Sequence, residues 1–118
     1  MKQISESEML HRAAAYCSAS ERCIQDVEKK IKAAGLAGEE SDRIVSRLLQ
    51  ERFIDESRFA RYFVNDKLRF NKWGRVKINY EMQRKGIPSS IRSEALEGID
   101  EQEYRSILLS LLKTIVIN

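Results

Sequence analysis

Apolar residues recur along this chain at helical spacing, and each recurrence opens on a capping residue and closes on a glycine or a polar joint. Leu10, Ala13, Ala14 and Cys17 share one stripe behind Ser5-x-x-Glu8, a capping box that predicts the start of a first helix. A second box, Ser18-x-x-Glu21, predicts the start of a second helix carrying Ile24, Val27 and Ile31 and ending at Gly35, where glycine tolerates a left-handed C-cap. Ile44, Val45, Leu48 and Leu49 place a third helix at roughly 40–52. Phe53-Ile54 is then a hydrophobic hinge, and Asp55 caps a fourth helix holding Phe59, Tyr62, Phe63, Val64 and Leu68. Asn71 to Gly74 forms a joint before a fifth helix with Ile78 and Met82 buried and Gly86 at its end. Pro88 sits early in a sixth, where its missing N–H costs nothing. Asp100-x-x-Glu103 caps a seventh, with Tyr104, Ile107, Leu108, Leu111, Leu112 and Ile115.

The pattern repeats. Val27, Ile31, Gly35 and Leu36 match Ile78, Met82, Gly86 and Ile87 at a constant offset of 51. Past a shorter loop, Ile44 matches Ile91 and Leu49 matches Leu96. Ile54-Asp55-Glu56 with Phe59 and Phe63 then recurs as Ile99-Asp100-Glu101 with Tyr104 and Leu108, now at an offset of 45. This period exceeds the roughly 34 residues of a tetratricopeptide unit. The expected fold is all-α, an elongated curved array of tandem three-helix repeats. Its boundaries fall at 1–54 for a first repeat, 55–99 for a second, and 100–118 for the first helix of an incomplete third. Only five glycines and one proline in 118 residues fit long helices and short loops.

Composition adds little until charge is mapped along the chain. The net charge is +3. Between Arg58 and Lys85, however, nine Lys/Arg stand against two acids, which makes that segment +7 and the rest −4. Such a segment attracts polyanions or an acidic protein surface, although a solvated basic helix pair has the same composition. Within it, Arg58 and Arg61 lie on a flank of the fourth helix, with Lys67 and Arg69 further along. Lys72-Trp73-Gly74-Arg75 sets an aromatic between cations, and Lys77 and Arg84 stay on one face of the fifth helix. Arg58, Arg61, Lys67, Arg69, Lys72, Trp73, Arg75, Lys77 and Arg84 together are the candidate contact surface, suited to phosphates or carboxylates without base-specific readout. Each has a plainer reading: Trp73 as a plug between helices, Arg58 and Arg61 as partners of Asp55 or Glu56.

No catalytic constellation is legible. His11 has no nucleophile or carboxylate around it in a known motif, and the glycines are scattered as caps rather than gathered in a phosphate-cradling loop. His11, Cys17 and Cys23 are six apart, off the spacing of a helical metal pair, so the cysteines read as small core residues and neither metal nor cofactor is expected. The N-terminal residues lack the apolar core of a signal peptide, and the apolar run from Ile107 to Ile117 is too short to span a bilayer. The expectation is a cytoplasmic, monomeric protein that is not an enzyme and has no membrane partner.

Phe53-Ile54-Asp55-Glu56-Ser57-Arg58-Phe59-Ala60-Arg61, then Lys72-Trp73-Gly74-Arg75 and Ile78 to Gly86-Ile87, resembles the central signature of RecX proteins, and the likeness extends over nearly the whole chain. That resemblance implies tandem three-helix repeats. It also implies a protein that binds the RecA–DNA filament in its groove and suppresses filament extension, ATP hydrolysis and strand exchange, and it leaves open whether the DNA of the filament is touched directly. Carried over by position, it points to Arg58, Arg61, Lys67, Arg69, Lys72, Trp73, Arg75 and Lys77. The alternative is a stand-alone helical DNA-binding module using the same basic strip. The family usually completes a third repeat, whereas this chain ends at Asn118 after that repeat's first helix, which puts full inhibitory strength in doubt.

Overall fold

The computed structural model describes residues 4–117, with side chains as far as Lys113. Among the described residues there are seven α-helices and no strand: α1 Glu6–Ala19, α2 Ile24–Ala33, α3 Glu39–Gln50, α4 Glu56–Arg69, α5 Arg75–Arg84, α6 Ser89–Glu97 and α7 Glu101–Ile117. The chain divides into two compact units, Met1–Phe59 and Ala60–Asn118, the division falling inside α4.

In the first unit α1, α2 and α3 pack pairwise around Met9, Ala13, Cys17, Val27, Ile31, Ile44, Leu48 and Ile54, all buried. In the second, α5 packs on α6, and Ala60, Phe63, Val64, Leu68, Ile78, Met82, Ile87 and Ile107 are buried. The offset of 51 has a structural meaning. Both α2 and α5 end in a left-handed glycine, Gly35 at φ 94° and Gly86 at φ 79°. In each case the next N–H reaches back five residues, Leu36 to the Ile31 carbonyl and Ile87 to that of Met82. That apolar residue is then buried, Leu36 and Ile87 alike. The same turn closes α3, but with Arg52 at φ 61° where glycine would be unstrained.

Caps repeat as well. Ser5 Oγ accepts from Glu8 N at 3.1 Å, Asp55 Oδ1 from Arg58 N at 3.0 Å, and Asp100 Oδ1 from Glu103 N at 2.9 Å. The box expected at Ser18 does not form. Ser18 lies inside α1, its hydroxyl donating to the Ala14 carbonyl at 2.9 Å, and α2 starts later, with Cys23 N donating to Asp26 Oδ2. Pro88 is the N-cap of α6. Four side chains expected on the apolar stripes are instead exposed: Leu49, Tyr62, Leu108 and Leu112. Ile115, expected beside Leu112, lies outside the side chains described.

Each unit also closes by having its last helix cap the start of an earlier one. In the first unit, Ile24 N at the head of α2 donates to Glu56 Oε2 of α4 at 3.1 Å. In the second, the equivalent Arg75 N at the head of α5 donates to Tyr104 Oη of α7 at 3.2 Å. A Cβ on Gly74 would come within 3.3 Å of that hydroxyl, so glycine is what lets α7 approach.

Candidate partner-binding site

The nine predicted site residues do not form one uniform strip of free charge. Arg58 is used internally. Its Nε donates to both oxygens of Glu21, at 2.8 and 2.5 Å, and its Nη2 to the carbonyls of Arg52 and Phe53 at 3.1 and 3.3 Å. The hydrogen bond to Glu21 raises the guanidinium's pKa. One side chain thus ties the loop after α1, the exposed carbonyls after α3 and the first turn of α4. In the second unit Arg69 donates to Glu103 at 2.6 and 3.2 Å, and Arg75 is paired with Glu101. Two acids inside the basic segment take a cation each, Asp66 holding Lys67 at 3.6 Å and Glu81 holding Arg84 at 3.6 Å. These pairs are exposed enough to be screened by solvent, and they lower the local field more than they stabilise the fold.

Three of the predicted cations remain: Arg61, Lys72 and Lys77 are exposed and have no carboxylate within ion-pair distance among the described residues. All three belong to the second unit. Lys72 sits in the α4–α5 joint at φ 59°, a left-handed conformation that local packing must hold.

Trp73 is where the predicted residues do converge. Lys67 from α4 lies 5.2 Å from the centre of the indole and Lys77 from α5 lies 4.5 Å from it. Phe63 meets the ring edge-on at 6.4 Å, and Trp73 N donates to the Lys67 carbonyl at 3.1 Å. The half-buried tryptophan therefore closes the joint and spaces two ammonium groups through cation–π contact.

Sequence reasoning missed the apolar side chains of the same region. Val76 is 86% exposed, Phe70 80% and Tyr80 57%. Val76 and Tyr80 are one turn apart on α5, on the side away from the buried Ile78 and Met82, with Lys77 beside them and the Arg84 guanidinium 5.9 Å from the Tyr80 ring. The signal was present in the repeat: at an offset of 51 these positions are Gln25 and Lys29 in α2.

Elsewhere, His11, the two cysteines and Glu56 are set into the fold. The His11 Nδ1 lies 2.9 Å from the Ser7 carbonyl. Cys17 and Cys23 are buried and not joined in a disulfide, and burial pushes the Cys17 pKa up, which disfavours the nucleophilic thiolate. Burial likewise raises Glu56 above the usual carboxylate range, with Glu28 and Asp26 adding to the shift against the Ile24 N–H. A groove of about 690 Å³ along α1 and α3 is lined by Glu6, Leu10, Asp42, Arg43 and Arg47 and bridged by the Arg43–Glu6 ion pair at 2.7 Å. No helix among the described residues is long and apolar enough to cross a membrane, and they hold no group of three metal-ligating side chains.

Residues 55–96 match the model of the family described as RecX, second three-helix domain. A protein named Regulatory protein RecX from Prosthecochloris aestuarii is 33% identical over 91 residues, covering 77% of this chain and 60% of that protein. One of the same name from Lactobacillus johnsonii is 26% identical over 114 residues, covering 97% of this chain and 42% of that protein. The chain thus spans about half the length of these relatives. The crystal structure of RecX from Lactobacillus salivarius superposes with a TM-score of 0.82 over 92% of this chain and 71% of that one, at 20% identity, and so shares the fold. Capped three-helix repeats, the signature running from Phe53 to Ile87 and these matches together place the chain in the RecX family.

Proposed function

We propose that this protein is a non-catalytic regulator of the RecA recombinase, and that it acts by laying the exposed cations of its second unit against the RecA–DNA filament so as to restrain filament extension, ATP hydrolysis and strand exchange. The observation that carries this reading is the set Arg61, Lys72 and Lys77, solvent-facing and without a carboxylate among the described residues, in a member of a family whose named proteins are regulators. Cations without internal partners lose no existing ion pair when they meet an acidic or phosphate-rich surface. Arg58, by contrast, would have to leave Glu21 and two carbonyls, so it belongs to the scaffold on which the face is built.

The test is DNA-dependent ATP hydrolysis by RecA titrated with the purified chain. Wild type is expected to inhibit below one copy per recombinase protomer. Arg61→Glu/Lys72→Glu/Lys77→Glu is expected to need about tenfold more protein or to fail, because each reversal turns an attraction into a repulsion at the interface. Its thermal midpoint should stay close to wild type, since no side chain in the set is buried or ion-paired and only Lys77 makes a contact, with the Trp73 ring. Wild-type protein without effect on hydrolysis would sink the reading. Tight, steeply salt-dependent binding to naked DNA together with that result would favour the stand-alone DNA-binding module.

A further inference from the structure

The outward side of α5 is built unlike the outward side of α2, although the two helices occupy equivalent places in their repeats. In both, the inward stripe is apolar and fully buried: Val27 and Ile31 in α2, Ile78 and Met82 in α5. The outward positions differ. Where α2 has Gln25 and Lys29, α5 has Val76 and Tyr80, 86% and 57% exposed. The fold does not require apolar residues there, since α2 forms the same helix with the same glycine cap without them.

We infer that Val76 and Tyr80 are apolar anchors for a protein partner, seating α5 in an apolar socket rimmed by carboxylates that meet Lys77 and Lys72. Resting on the proposed function, this assigns the contact to the protein of the filament and not to its DNA. Three observations support that choice. Val76 is aliphatic and branched, so it offers no face on which a base stacks, and single-strand binding relies on such faces. The Tyr80 ring already has the Arg84 guanidinium near it. Residues one turn apart on one side of a helix are the anchor pattern of a helix lying in a groove, and aromatic side chains supply much of the energy of such contacts. The occupant's acidic rim follows from charge: the surrounding segment is +7, and neither Lys77 nor Lys72 has a carboxylate among the described residues.

The repeat supplies the test variant, Val76→Gln/Tyr80→Lys, which writes the α2 residues into α5. It removes both apolar side chains while adding a positive charge. Affinity is measured for the RecA–DNA filament and, separately, for naked single-stranded DNA. The inference predicts about tenfold weaker filament binding with naked-DNA affinity unchanged or tighter. Val76→Gln alone, at a side chain almost wholly in solvent, should give about a threefold loss and covers the case in which the double variant misfolds. Unchanged or tighter filament binding by both variants would overturn the inference, since a purely electrostatic contact gains from the added lysine. Parallel losses on filament and naked DNA would also overturn it, by assigning Tyr80 to base stacking. Wild type that does not bind the filament at all would remove the proposed function and this inference with it, which separates that failure from the loss of the anchors alone.

Discussion

The joints α1–α2 and α4–α5 solve one problem with the two halves of a cation–π pair exchanged. At the first, Tyr16 lies in the last turn of α1 and Arg22 lies 3.8 Å from its ring, with Arg22 Nε donating to the Tyr16 carbonyl at 3.0 Å. At the second, an offset of 51 puts Lys67 where Tyr16 stood and Trp73 where Arg22 stood, with Trp73 N donating to the Lys67 carbonyl. Each joint then takes a second cation from the helix that follows, Lys30 at 4.7 Å from Tyr16 and Lys77 at 4.5 Å from Trp73. The exchange teaches that the aromatic–cation contact is a feature of the repeat, so Trp73 by itself does not mark a binding site. What separates the units is what surrounds the joint: in the second, exposed Lys72 and Lys77 and apolar side chains on the outward side of α5.

If the two units are equivalent in their packing, matched core truncations should cost alike. Ile31→Ala and Met82→Ala, at positions 51 apart and both fully buried, should each lose about 3 kcal/mol in urea unfolding. A much smaller loss at Met82 would break the equivalence. The joints should separate next. Trp73→Ala is expected to cost about 2 kcal/mol, because removing a large half-buried ring leaves Phe63 less covered, whereas Arg22→Ala should cost about 1 kcal/mol through its carbonyl hydrogen bond.

The helix-head caps give a finer comparison. Tyr104→Phe removes the acceptor of Arg75 N, and Glu56→Ala that of Ile24 N; each should cost about 1 kcal/mol by thermal unfolding. Glu56→Gln keeps an oxygen for Ile24 and should be nearly neutral. It also carries the pH dependence. Because burial raises the folded pKa of Glu56, the folded state holds that proton more firmly than the unfolded chain does. The group therefore favours folding below its unfolded pKa and loses that contribution as pH rises through the folded value. From about pH 4 to 7 the stability of wild type relative to Glu56→Gln should fall; a difference that rises would assign the wrong sign to the shift. Smallest of all, Arg52→Gly should raise stability by about 0.5–1 kcal/mol, relieving the left-handed turn that Gly35 and Gly86 make without strain.

The sequence made the helices and the repeat readable because both are written in local signals. Asp55 and Asp100 cap as their spacing predicts, and Gly35 and Gly86 end helices where a left-handed residue is needed. Ser18 misled for a local reason too: a serine near the end of a helix bonds back to the preceding turn as readily as it caps a new one. The candidate site was legible in composition but not in its pairing. Arg58 meets Glu21 from 37 positions away, and Arg69 meets Glu103 from 34, contacts that no spacing rule within one helix discloses. Tyr62 and Leu49 continue apolar stripes whose far edges the neighbouring helices do not cover. Val76 and Tyr80 could have been found by setting α5 against α2, since only a comparison of repeats reveals that an outward apolar residue is unneeded for folding.

In the proposed function the second unit makes the recombinase contact and the first is scaffold. The most direct test sets two triple reversals of equal charge change side by side in the ATP hydrolysis titration: Arg61→Glu/Lys72→Glu/Lys77→Glu, and Arg12→Glu/Lys29→Glu/Lys32→Glu, the latter at exposed positions of the first unit. The first set should raise the half-inhibitory concentration about tenfold and the second should leave it within about twofold of wild type. Equal losses from both sets would show that net charge alone governs the interaction, and would contradict the proposed function.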